Sequence, residues 1–264
     1  MSDAGGLRAR FRELHDSGCF VMPNAWDVGS ALVLQSLGFP ALATTSSGLA
    51  AALGRHDQTV TLDELVDHVR SLCAVLEVPV SVDSESGFAA QSGELGRTVA
   101  RLAEAGASGV SIEDYVPGRG LLGVDEAAER VAVFAAAAEQ EGLTVSARAE
   151  NHLYDVEDLA DTIGRLSAYR QAGAHVLYAP GLDDVGDIAR LVAAVEAPVN
   201  VLLLPGGPAV PELAEAGVRR VSTGGLLAFV AYGAMARAAR ELLETGMVTA
   251  PVLSRAEREA AFGD

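Results

Sequence analysis

Four times along this 264-residue chain, a stretch with helical spacing stops at a glycine and runs directly into an apolar segment. The phrases are Ser36-Leu37-Gly38-Phe39-Pro40-Ala41-Leu42-Ala43-Thr44, Glu104-Ala105-Gly106-Ala107-Ser108-Gly109-Val110-Ser111-Ile112, Gln171-Ala172-Gly173-Ala174-His175-Val176-Leu177-Tyr178 and Glu215-Ala216-Gly217-Val218-Arg219-Arg220-Val221-Ser222. Glycine supplies the left-handed helix cap, and a loop this short feeds a parallel strand. Further apolar runs begin at Pro79 and Pro198, one follows Gly142, and one precedes Pro23-Asn24. Strands are therefore predicted near residues 18–22, 41–45, 79–83, 109–113, 143–148, 175–179, 198–203 and 219–222. Between them the spacing of Leu95, Val99 and Leu102, and of Leu159, Ile163 and Leu166, predicts helices with one apolar face.

Alternating βα units in that number predict a closed (β/α)8 TIM barrel, one domain spanning residues 1–264, rather than an open doubly wound sheet. No G-x-G-x-x-G follows the first strand, which weakens the Rossmann alternative, and no NAD is expected. The segment Val221 to Ala236 is apolar but too short and too rich in small residues to span a bilayer, so it is read as a buried barrel helix. Residues from about 240 to 264 remain as a tail. There Pro251, Val252, Leu253 and Phe262 have no further strand to cover, and the tail follows the apolar Leu226-Leu227-Ala228-Phe229-Val230-Ala231 run. Such residues are better buried against another subunit, which predicts a homo-oligomer.

The charge balance narrows the partners. A net charge of -17 argues against nucleic acid and anionic membranes, and suits a small anionic substrate met by local positive groups. All 19 basic residues are arginine. Without lysine there is no Schiff-base aldolase and no pyridoxal enzyme, so carbanion chemistry here requires a metal. Cys19 and Cys73 form neither a disulfide framework nor a metal-ligand spacing. The polar start, Met1 to Asp16, has no apolar core of a signal peptide, and a cytoplasmic location is expected.

In a (β/α)8 barrel the chemistry lies at the C-terminal strand ends, so its polar residues can be collected from the sequence. They are Asn24, Thr44 to Ser47, Asp83 and Glu85, Glu113 and Asp114, Arg148 and Glu150, Tyr178, and Ser222 to Gly225. Val78-Pro79-Val80-Ser81-Val82 reads as a buried strand delivering Asp83 and Glu85 to the rim, two residues apart and thus facing one ion. Mg2+ keeps most of its waters, so Asp83 fits as direct ligand with Glu85 acting through water; Asp83 and Ser84 equally fit a helix cap or turn. Glu113-Asp114 is either an exposed turn or a holder of metal-bound water. Arg148 either pairs with a core carboxylate or grips a substrate carboxylate bidentately. Ser46-Ser47-Gly48 is either a plain N-cap or an anion site at a helix start. His56-Asp57 sits in a loop expected to be solvent-exposed, and Trp26, His152 and Tyr178 fit structural roles as well as functional ones.

Five pieces, Pro23-Asn24-Ala25-Trp26-Asp27, Thr45-Ser46-Ser47-Gly48-Leu49 with Gly54-Arg55-His56-Asp57, Asp83-Ser84-Glu85-Ser86-Gly87, Ile112-Glu113-Asp114 and Ala147-Arg148-Ala149-Glu150, occur in an order that resembles the isocitrate lyase and phosphoenolpyruvate phosphonomutase superfamily. By that resemblance Asp83 ligates Mg2+ (or Mn2+), and Glu85 and Glu113 hold its waters. Ser47, Gly48 and Leu49 bind substrate carboxylate, and Arg148 contacts a carboxylate or the oxygen that becomes an enolate. The resemblance also implies a tetramer whose last helix is exchanged between paired subunits. The cysteine loop of isocitrate and methylisocitrate lyases, Lys-Lys-Cys-Gly-His, is missing, and so is the long lysine-bearing loop of the phosphonomutase proper; here it is Tyr115-Val116-Pro117-Gly118-Arg119-Gly120-Leu121.

The expected activity is a Mg2+-dependent carbon-carbon lyase acting on a small 2-oxo or 2-hydroxy di- or tricarboxylate through an enolate, most simply resembling oxaloacetate decarboxylation. Arg148 polarises the oxygen, Glu150 or a metal-bound hydroxide is the candidate base for a hydroxyl substrate, and His56, with Asp57 in a loop expected to close over the site, is a candidate acid. Gly118, Gly120 and Gly123 are the matching hinges after Glu113. Two alternatives remain: a phosphonopyruvate-type mutase or hydrolase, and a barrel that binds a metabolite without turnover.

Overall fold

All four glycine phrases end a helix and enter a strand. Gly38, Gly106, Gly173 and Gly217 have φ of 87°, 104°, 104° and 89°, a region L residues rarely adopt. At Gly106 space is restricted as well, because an added Cβ would lie 2.7 Å from Cβ of Cys73.

The computed structural model describes residues 4–263. In chain order the elements are α1 (Ala4–Glu13), β1 (Phe20–Met22), α2 (Val28–Ser36), β2 (Leu42–Ala43), α3 (Ser46–Ala52), α4 (Leu62–Cys73), β3 (Val80–Val82), α5 (Ala89–Ser92) and α6 (Leu95–Glu104). Then come β4 (Gly109–Glu113), a hairpin of β5 (Tyr115–Val116) and β6 (Gly120–Leu121), α7 (Val124–Gln140), β7 (Thr144–Arg148), α8 (Leu159–Gln171) and β8 (Val176–Tyr178). The chain ends with α9 (Val185–Val195), β9 (Val199–Leu202), α10 (Val210–Glu215), β10 (Arg220–Ser222), α11 (Leu226–Thr245) and α12 (Arg255–Phe262).

The main sheet is parallel throughout, in the order β1-β10-β9-β8-β7-β4-β3-β2. An isolated parallel bridge between Asn24 and Ala43 joins the outer strands β1 and β2 and completes a (β/α)8 TIM barrel. Alternation sorts the side chains. Val82, Val110, Ile112, Val145, Leu177, Val199, Val201 and Val221 pack outward under the helices in the main apolar core, where Val99, Leu102 and Leu166 meet them. The inward positions Ser81, Ser111, Ser146, Asn200, Arg220 and Ser222 are polar and line the barrel cavity. Barrels are usually filled by branched apolar residues, so this interior is a hollow rather than a packed plug.

Helix α1, which the strand pattern does not anticipate, closes the other end. Phe11 is fully buried beneath the barrel, where a Cβ on Gly109 would come within 2.5 Å of its ring. Arg8 donates to the carbonyls of Ala103, Ala107 and Glu141 at 2.8, 3.1 and 2.7 Å, tying α1 to two helix-strand corners.

Two expectations need correction. The strand carrying Asp83 stops at Val82, and Glu85 lies in a turn with φ 46°, so strand alternation does not set the direction of the two carboxylates. The late apolar segment is not a buried helix. In α11 only Ala228 is wholly buried, while Phe229, Val230, Met235, Leu242 and Leu243 are exposed, because the helix leans on the barrel along one stripe and its other side has no covering element among the described residues. α12 packs on α2 of its own chain. No helix among the described residues is long and apolar enough to cross a membrane.

Candidate active site

The rim is assembled from strand ends that hold one another. Thr45 caps α3 by accepting from the Gly48 amide at 3.3 Å, while the Leu49 amide bonds the Thr45 carbonyl. The amides of Gly48 and Leu49 are thus committed to the helix start, and both residues are buried. Ser46 and Ser47 line the cavity, and the Ser46 amide donates to Asp83 Oδ2 at 3.1 Å. Thr44 Oγ1 accepts from the Asp83 amide at 2.9 Å, so the end of β2 positions the end of β3.

Arg148, the last residue of β7, is the centre of the site. Its Nη1 donates to Asp83 Oδ1 at 2.9 Å and its Nε to Glu150 Oε1 at 2.8 Å, and Nη2 stands 3.5 Å from Glu113 Oε2. Its guanidinium carbon lies 5.2 Å from the centre of the Tyr178 ring, a cation-π stack that fixes the remaining degree of freedom. Burial disfavours the guanidinium charge, yet Glu150, Asp83 and Glu113 outweigh burial and hold its pKa above the ordinary arginine value. Burial first, and repulsion from the neighbouring carboxylates second, raise Glu113 and Glu150 against the pull of Arg148. Glu85 is pushed up to about 8, by burial foremost and then by Asp83 and Asp57.

Asp114 is not an exposed turn. It is buried, accepts from the Glu150 amide at 2.8 Å, from Tyr169 Oη at 2.6 Å and from Arg165 Nη1 at 3.1 Å, and so anchors the segment after Arg148 from behind. Asn24 serves barrel closure: its Oδ1 accepts from the amides of Thr223 and Gly224, both at 2.9 Å, and its Nδ2 donates to the Thr44 carbonyl at 2.5 Å. Asn24 also lines the cavity wall, and Nδ2 has a second N–H beyond the one donated to Thr44. Asp57 is exposed at the cavity mouth; His56 is exposed and outside the lining. The Tyr115 ring, on the hairpin after Glu113, stacks on Tyr154, on the short turn after Glu150, with centroids 3.8 Å apart and planes within 5°. Gln58 was not anticipated: its Nε2 donates to Glu113 Oε1 at 2.9 Å from a backbone at φ 63°, and no sequence pattern marks it.

Among the described residues, no three His, Cys, Asp or Glu side chains gather tightly enough to hold a metal ion by themselves. The reason is visible: the guanidinium of Arg148 stands between Asp83, Glu113 and Glu150.

The matches to known proteins agree with the fold. The family model for phosphoenolpyruvate phosphomutase matches residues 11–243. The chain belongs to that family, and hence to the isocitrate lyase and phosphoenolpyruvate phosphonomutase superfamily. Among its relatives, an uncharacterized Mycobacterium tuberculosis protein is 34% identical, with 87% of each chain covered. Oxaloacetate decarboxylase of Paraburkholderia xenovorans is 32% identical over 76% of this chain and 69% of its own length. The crystal structure of a Burkholderia cenocepacia protein, provisionally described as a lyase/mutase, is 44% identical with a TM-score of 0.92, covering 98% of this chain and 96% of the other. Membership in a family of lyases and mutases makes the chain an enzyme of that superfamily.

Proposed function

We propose that the protein is a Mg2+-dependent carbon-carbon lyase acting on a small 2-oxo or 2-hydroxy di- or tricarboxylate, with oxaloacetate decarboxylation as its simplest reaction. The observation that carries this reading is Arg148, a guanidinium held rigidly at the cavity wall between the carboxylates of Asp83 and Glu150. The relatives that decarboxylate oxaloacetate support it from outside.

The donor set suits a hard divalent cation. Asp83 and Glu113 stand against Arg148 with Glu85 and Asp57 near Asp83, and burial foremost, then the charges of Asp83 and Asp57, raise the pKa of Glu85 against the pull of Arg148. Asp83 would hold Mg2+ directly, with Glu85 and Glu113 acting through its waters. Bound there, Mg2+ supplies Lewis-acid polarisation of the substrate oxygen. The serine hydroxyls of Ser46 and Ser47 at the cavity edge orient a substrate carboxylate. Arg148 faces the C2 oxygen, where negative charge grows as the C3–C4 bond breaks and its electron pair passes into the C2–C3 bond. Carbon dioxide leaves, and a proton from water replaces it at C3. Stabilising charge that develops only in the transition state raises kcat rather than affinity. For a 2-hydroxy substrate, Glu150, behind Arg148 Nε, would take the hydroxyl proton in a retro-aldol cleavage. The test is mass spectrometry of reactions with oxaloacetate, substituted malates, citramalate and phosphonopyruvate. Mg2+-dependent products from the diacids support the reading, and turnover of phosphonopyruvate alone refutes it.

The name of the matching family model favours a second reading, a phosphonopyruvate-type mutase or hydrolase, in which Arg148 faces the same oxygen and the broken bond is carbon-phosphorus. A barrel that binds a metabolite without turnover is the outcome if no substrate reacts.

The exposed apolar side of α11 supports a homo-oligomer, proposed as a tetramer; α12 packs on α2 of its own chain, in place of the exchange between subunits that the resemblance implies. The location proposed is cytoplasmic. Light scattering at micromolar concentration tests the assembly, and a strictly monomeric species overturns it.

A further inference from the structure

Arg220 opens β10 inside the barrel, below the rim, and only 3% of it is exposed. Its Nε donates to Asn200 Oδ1 at 2.8 Å and its Nη2 to Ser146 Oγ at 2.7 Å, while Nη1 stands 3.3 Å from His15 Nε2. Those are three contacts for a group with five N–H donors. Arg148 faces three carboxylates and Arg165 two, but none pairs with Arg220 among the described residues. His15 does not supply the missing charge. Its Nδ1 lies 2.9 Å from the Phe11 carbonyl and must be the protonated nitrogen, so Nε2 is the acceptor that receives Arg220. Burial, helped by Arg220, pushes His15 down to about 3 and keeps it neutral.

A buried guanidinium without an anion is costly, and a protein retains one where something else delivers the counter-charge. Arg220 lines the same cavity of about 190 Å3 as the rim residues. A second polar group beside that cavity is also unsatisfied: Ser111 Oγ is buried, lies on the cavity wall and has no hydrogen-bond partner. We propose that the barrel interior beneath the rim is an anion subsite, with Arg220 as its charge and the hydroxyls of Ser111 and Ser146 as its wall, and that it receives the distal carboxylate of the substrate.

The spacing suits a short diacid. Ser146, which touches Arg220, and Arg148 are two residues apart on β7 and face the same way, about 7 Å along the strand. An extended four-carbon diacid separates its carboxyl carbons by about 4 Å and its outermost oxygens by roughly 6 Å, given carbon-carbon bonds near 1.5 Å. One end can then meet Arg148 and the serines while the other descends toward Arg220. The subsite rests on the reading of the rim as a site for small carboxylates, and it adds a requirement: the substrate carries two anionic groups, and one of them is sunk into the barrel away from water.

The test is calorimetry of the full chain with Mg2+, titrated with succinate and with butyrate, which share a four-carbon length but differ in the second carboxylate. Wild-type protein binds succinate more tightly, and Arg220→Gln loses succinate affinity on the order of 10- to 100-fold while butyrate changes little, since a hydrogen bond to a charged group is lost. Ser111→Ala removes an unpartnered hydroxyl and so leaves the fold intact, and it weakens succinate by about 5-fold. Bromide soaked into wild-type crystals appears against Arg220. Equal binding of the two acids, unchanged succinate affinity in both variants, or no bromide at Arg220 overturns the subsite. If Arg220→Gln does not fold, Ser111→Ala and the bromide position decide. Arg148→Gln separates the two levels of the argument: loss of both acids there, with Arg220→Gln binding as wild type, leaves the rim reading standing and removes the subsite.

Discussion

Asp114 lets the support of the site be tested apart from its chemistry. Replacing it with alanine removes the acceptor of three donors, the Glu150 amide, Tyr169 Oη and Arg165 Nη1. Removing one partner of a buried ion pair costs about 3 to 5 kcal/mol, because the surviving charge is left without compensation. Arg165 keeps Asp161 at 2.6 Å and the Leu122 carbonyl at 2.8 Å, which places Asp114→Ala at the lower end of that range, about 3 kcal/mol. For a chain of this size about 2 to 4 °C of melting temperature corresponds to each kcal/mol, so the melting midpoint should fall by roughly 6 to 12 °C. Tyr169→Phe deletes only one hydrogen bond to a charged acceptor and should cost less, about 1.5 to 3 kcal/mol. Calorimetric melting of both variants at pH 7.5 is the assay. A fall of less than about 2 °C for Asp114→Ala, or a larger one for Tyr169→Phe, would refute the claim that Asp114 is the buried anchor.

Three further outcomes follow from the same contacts. Arg148→Gln should keep its fold by circular dichroism and lose about 100- to 1,000-fold in kcat, as expected for a group facing developing charge; near wild-type kcat would remove Arg148 from the mechanism. Gly225→Ala would put a Cβ 2.6 Å from Ser47 Oγ and 2.9 Å from the Phe229 ring, so KM should rise as Ser47 is displaced, and an unchanged KM would argue against substrate contact there. His15 gains its proton at 6.5 in the unfolded chain but only near 3 when folded, so its stabilising effect is complete above 6.5 and is lost as pH falls toward 3. Between pH 7.5 and 5 wild type should lose about 2 kcal/mol more than His15→Gln in urea unfolding, and equal losses would contradict the neutral buried imidazole.

The barrel was legible because its signals are local. Gly38, Gly106, Gly173 and Gly217 each need a left-handed cap that the adjoining sequence announces, and every predicted strand lies within a residue or two of the observed one. At the rim, Asp83 and Arg148 could be collected by position alone, and their 2.9 Å contact joins residues 65 apart in sequence. What escaped is set by such distant partners. Asp114 was open between an exposed turn and a holder of metal-bound water because Tyr169 and Arg165, which bury it, arrive on α8. The closure role of Asn24 was not legible because the amides it accepts from, at Thr223 and Gly224, lie 199 and 200 residues later. Arg220 read as the start of a strand, and nothing near it in sequence tells that its side chain enters a hollow barrel.

The central claim is tested most directly by following oxaloacetate and pyruvate by proton NMR with Mg2+ present, against the same Mg2+ with Asp83→Ala, which controls for decarboxylation by the free ion. The wild-type chain should form pyruvate faster than that control and fall to the control rate when a chelator is added. Pyruvate formation by the wild type that persists in chelator, or that Asp83→Ala matches, would contradict a metal-dependent lyase at this site.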